Sequence, residues 1–167
     1  PPPSGDDGCT PGYWKANAKK GATQWPAGYL PSTLVGDVFD AGSFDTATLI
    51  NALQFGGGPG VAGATQNLLR AGVAAVLNAA SGFYPWSVGQ VVTAVNDAIA
   101  SGDRSTILGL ASQLDGYNNL GCPLDKARQM QEEGHKIIQL NIGNLAVFGL
   151  EPPDEIVQDM IRNLGSQ

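Results

Sequence analysis

Ser87-Val88-Gly89-Gln90-Val91-Val92-Thr93-Ala94-Val95-Asn96-Asp97-Ala98-Ile99-Ala100-Ser101-Gly102-Asp103 is the stretch whose reading decides the fold. Ser87 followed three residues later by Gln90 is a capping box, which satisfies two backbone donors that a helix start leaves orphaned. Val88, Val91, Val92, Val95 and Ile99 then recur at helical spacing until Gly102 ends the run. Val91-Val92 alone would also suit a strand, but the punctuation on either side favours a helix. Asp103 caps the next helix, which turns Ile107, Leu110, Ala111 and Leu114 inward and fades at Gly116 to Asn119.

Upstream, a longer helix is predicted from about Val61 to Ala80, with Leu68, Leu69, Val73, Val76 and Leu77 on its apolar face. Gly63, Ala64, Ala71, Gly72, Ala75 and Ala79 are small enough to let a neighbouring backbone come close. Asp45 is read as the cap of a helix to about Phe55, ended by Gly56-Gly57-Gly58-Pro59-Gly60. Short connections between these four helices favour antiparallel neighbours. The fold class is therefore all-α, a compact antiparallel helical bundle. From Cys9 to about Phe44, Pro11, Gly12, Pro26, Gly28, Pro31 and Gly36 break up the pattern, and an irregular region anchored by aromatic residues is expected there.

The predicted organisation is an extended linker at residues 1–8, a helical domain at 9–122 and an amphipathic helical extension at 123–167. The linker begins Pro1-Pro2-Pro3 and holds nothing apolar to bury. The chain starts without methionine, which is compatible with a leader removed upstream. At 167 residues it is long enough for one domain with a proper core, and no internal repeat is evident.

Cys9 and Cys122, the only cysteines, lie far apart beside Gly and Pro residues and in no metal-binding or Cys-x-x-Cys spacing. They read as a structural disulfide made in an oxidising compartment. In the chain-entropy model, closing so long a loop contributes about 4.7 kcal/mol. The ordered series Cys9-Thr10-Pro11-Gly12-Tyr13-Trp14-Lys15, Trp25-Pro26, Gly56 to Gly60, Leu68 to Ala79 and Asn118-Asn119-Leu120-Gly121-Cys122-Pro123-Leu124 resembles an uncharacterised helical domain of secreted and surface-displayed microbial proteins. The resemblance covers roughly residues 8–124 and implies an extracellular or cell-surface setting. It implies no established activity.

Composition narrows the partners. A net charge of −6 with only 14% charged residues argues against nucleic acid, and the one basic cluster, Lys15, Lys19 and Lys20, reads as a solvated loop. No apolar stretch approaches the ~20 residues of a membrane-spanning helix. So few charges suit burial against copies of the chain, with a surface glycan or protein as the other candidate partner. The residues proposed to line such a subunit interface are Ile137, Ile138, Val147, Phe148, Ile156, Met160, Ile161 and Leu164. Whether they pack on their own domain or on a neighbour stays open.

Catalytic signals are sparse. His135 is the only histidine; Glu132-x-x-His135 is half of a di-metal helix motif whose second half is missing, and the residue reads as surface or packing. The glycine run lacks the Lys-Ser/Thr of a phosphate loop and reads as a flexible connection. No cofactor is implied. Asp37, Asp40 and Asp45 are weak calcium candidates whose spacing does not match an EF-hand. Tyr13, Trp14, Trp25, Tyr29, Tyr84 and Trp86 are read first as anchors burying loops on the bundle, and second as a platform for sugars or proteins. The sequence thus favours a non-catalytic, self-assembling extracellular protein forming a layer, fibre or matrix. The alternatives are a monomeric adhesion or carbohydrate-binding module, and a hydrolase using carboxylates alone.

Overall fold

A computed structural model of the chain describes residues 8–18, 25–82 and 84–119, together with Gly134. The chain divides into two packed units, Pro1–His135 and Lys136–Gln167, and the second lies outside the described residues. The described architecture is all-α, with no strand among these residues.

The first helix, α1 (Pro11–Ala18), occupies a stretch expected to be irregular. Thr10 Oγ1 accepts from the Tyr13 N–H at 3.1 Å, and Pro11 takes the first helical position, where its missing N–H costs nothing. Pro11 therefore starts a helix here rather than interrupting one. The chain then passes through two short 3-10 turns, Val35–Asp37 and Gly42–Phe44. An isolated antiparallel bridge between Leu34 and Thr48 closes this excursion, with the Val35 N–H donating to the Ala47 carbonyl at 2.8 Å.

A second correction concerns α2 (Leu49–Ala52), which is capped by Thr48 and not by Asp45. Thr48 Oγ1 accepts from the Asn51 N–H at 3.4 Å, while Asp45 Oδ1 accepts from the Ala41 N–H at 2.9 Å and so holds the preceding turn. The glycine run that follows takes left-handed φ at Gly57 (76°) and Gly60 (69°), conformations open to glycine at little cost.

Three longer helices follow, the last two starting where Ser87 and Asp103 indicate. They are α3 (Gly60–Ala80), α4 (Val88–Ala100) and α5 (Arg104–Asn118). Ser87 and Gln90 make the reciprocal capping box on α4, and Asp103 Oδ2 accepts from the Thr106 N–H at 2.7 Å on α5. α3 is the centre of the unit. Thirteen of its residues are buried, from Gly63 to Asn78, and it packs against α5 most extensively, then α4, α1 and α2. A helix buried on most of its sides has to be surrounded, and this composition puts α3 in the middle. At Gly72 an added Cβ would sit 3.1 Å from Val95 Cγ2 and 3.6 Å from Phe39 Cζ, so a missing side chain sets how closely α4 approaches. The core is completed by Trp14, Phe39, Leu49, Val91, Val95, Ile107 and Leu114.

Candidate functional site

The most connected polar group in the interior is Asn78, near the end of α3 and 2% exposed. Its Oδ1 accepts from the Cys9 N–H at 2.8 Å and from the Trp14 indole N–H at 3.1 Å. Its Nδ2 donates to the Cys9 carbonyl and to Asn118 Oδ1, both at 2.9 Å. Asn118, fully buried, passes the chain on by donating to the Ala71 carbonyl at 3.0 Å. One amide thus pairs both backbone groups of Cys9 as a neighbouring strand would, and a buried polar group meets its full bonding capacity. Gly8 makes room for this seam, because a Cβ there would fall 2.7 Å from the Tyr117 carbonyl oxygen. Sequence reasoning missed this cluster, since a lone Asn within an Ala-rich helix carries no periodic signal.

Five of the six aromatic residues fall into two groups, and Tyr29 stands apart from both. Trp14 and Trp25 are buried and meet edge to face at 6.5 Å, and the Trp25 indole N–H donates to the Trp14 carbonyl at 3.2 Å. Half-buried Tyr13 stacks edge-on to Trp14 at 5.1 Å. In the second group, buried Tyr84 donates its hydroxyl to the Leu114 carbonyl at 3.4 Å and packs on Tyr117 at 5.9 Å. Burial, reinforced by the neighbouring Tyr117 and Asp115, raises the Tyr84 phenol well above its ordinary range. Trp86 lies on the outer edge of Tyr117 at 6.0 Å and is half-buried.

Shallow depressions open on the surface of the described residues. One is lined by Ala27, Gly28, Tyr29, Thr33, Asp37, Val38 and Val92, and desolvation raises the Tyr29 phenol there. Another runs along α4 beside Trp86. The three acids weighed for calcium are each engaged locally. Asp37 Oδ2 accepts from the Leu34 N–H at 3.2 Å, Asp40 Oδ2 from the Asn96 amide at 3.2 Å, and Asp45 Oδ1 from the Ala41 N–H. No group of three or more His, Cys, Asp or Glu side chains able to hold a metal ion occurs among the described residues. Arg70 donates to the Phe55 carbonyl at 3.1 Å and pairs with Asp115 at 3.8 Å. Desolvation raises the Asp115 carboxyl despite the opposing pull of Arg70. No described helix is long and apolar enough to cross a membrane.

Glu132, His135 and the eight residues named for a subunit interface lie outside the described residues, and so does Cys122. Cys9 is buried and no free cysteine occurs among the described residues, but the expected Cys9 and Cys122 pairing has one member beyond them.

No family model matches the chain, and no solved structure matches it. Part of the chain is similar to curated enzymes. It is 52% identical over 48 residues to the glutamate-pyruvate aminotransferase AlaA of Escherichia coli (strain K12), which is 29% of this chain and 12% of that protein. It is 58% identical over 50 residues to the AlaA of Haemophilus influenzae, covering 30% of this chain and 12% of that protein. The alanine aminotransferase of Mycobacterium bovis is 53% identical over 38 residues, or 23% of this chain and 9% of that protein. The chain thus spans about 12% of the length of the first of these relatives.

These relatives overturn several expectations. The resemblance to a disulfide-bracketed surface domain is withdrawn, because the similarity found is to part of an aminotransferase and to no such domain. The reading as a non-catalytic, self-assembling structural protein is withdrawn for the same reason, since the relatives are named as enzymes. The extracellular and cell-surface setting, read from the expected disulfide and from that resemblance, is withdrawn as well, because the relatives found are named aminotransferases and not surface proteins.

Proposed function

We propose that this chain belongs to an enzyme of amino-group transfer, in which the helical unit of residues 8–119 is a body joined to an aminotransferase-like segment. The observation that carries the reading is the 52–58% identity over 48–50 residues to glutamate-pyruvate aminotransferases of two bacteria. Identity at that level over so short a stretch indicates shared ancestry of the segment. It does not extend to the other 70% or so of the chain, because the H. influenzae match covers 30%.

We assign the matching segment to the sequence that follows Leu120. The composition changes there from Ala- and Gly-rich helices to the charged run Asp125 to Glu133 followed by Ile137-Ile138-Gln139-Leu140-Asn141-Ile142. The helices around α3 take up residues 8–119, and the sequence after them is of about the matched length. A stretch of fewer than about 60 residues buries too little apolar surface to enclose a reaction site by itself. Its contribution is therefore to a larger catalytic body.

A segment exchange tests this reading. Residues 120–167 replace the corresponding segment of E. coli AlaA, and residues 71–118 replace it in a control. The first hybrid is expected to transfer amino groups between glutamate and pyruvate within about tenfold of the parent, a loss of about 1.4 kcal/mol. The control is expected to be inactive. A folded but inactive first hybrid would overturn the proposal. So would one that fails to fold, because a homologous segment at this identity should be accommodated by the parent.

A further inference from the structure

We draw no further inference here: the strongest candidate, the depression between residues 27–29, the 3-10 turn Val35–Asp37 and α4 that is lined by Tyr29, Asp37 and Val92, carries nothing because nothing in the structure shows what covers it.

Discussion

Replacing Asn78 by alanine isolates the buried seam that holds the N-terminal segment to α3 and α5. The substitution removes four hydrogen bonds at once, two from Cys9, one from Trp14 and one from Asn118. Each is worth about 1 kcal/mol net, and the partners left behind are buried, so the expected loss is about 4 kcal/mol. Trp14 and Cys9 are at most 1% exposed, so little water reaches their orphaned N–H groups without local opening. Urea unfolding followed by circular dichroism reads this directly. With a slope of about 2 kcal/mol per molar, the midpoint falls by about 2 M. Asn119→Ala is the control, because Asn119 is exposed and its amide donates only to the Asp115 carbonyl in the same helix. It should shift the midpoint by less than about 0.3 M, within the ±0.5 kcal/mol usual for surface changes. A midpoint for Asn78→Ala as close to the parent as that of Asn119→Ala would refute the assignment of this amide as the clamp.

Two other perturbations probe the packing and the caps. Gly72→Val should destabilise the unit by about 1–3 kcal/mol through overpacking against Val95 and Phe39; an unchanged thermal midpoint would show that α4 can retreat. Asp103 is held below the usual carboxylate range by its side-chain bond to Thr106 and then by the backbone bond to the same residue. A depressed folded value means its contribution is present above the unfolded pKa of about 3.9 and is lost as pH falls through the folded one. Asp103→Asn should therefore flatten the fall in stability below about pH 4, measured as the thermal midpoint against pH, and parallel curves for the two proteins would contradict this.

The helices were legible where capping chemistry and periodicity agreed. Ser87 with Gln90 and Asp103 with Thr106 mark their own positions, and α3 declares itself by an apolar run longer than any strand. What escaped the sequence was set by less local physics. Thr10-Pro11 is a helix start as well as a break, and the choice depends on whether Trp14 finds a core to enter. Thr48 displaced Asp45 as the cap because Asp45 was already engaged by Ala41, a contact with no signature in spacing. The Asn78 seam joins residues 69 and 40 positions apart, so no window along the chain contains it. The similarity of a short part of the chain to aminotransferases was legible in no motif, because it lies along a segment and not in a catalytic pattern.

α3 is ringed by every other α-helix of the described unit, and this has a consequence for how the molecule breathes. A peripheral helix can lift away while the remainder stays assembled, but α3 cannot leave without dismantling all of its neighbours. Its amides are thus shielded until the whole unit comes apart, while the rim exchanges with solvent through smaller excursions. The hub of the fold is its slowest clock.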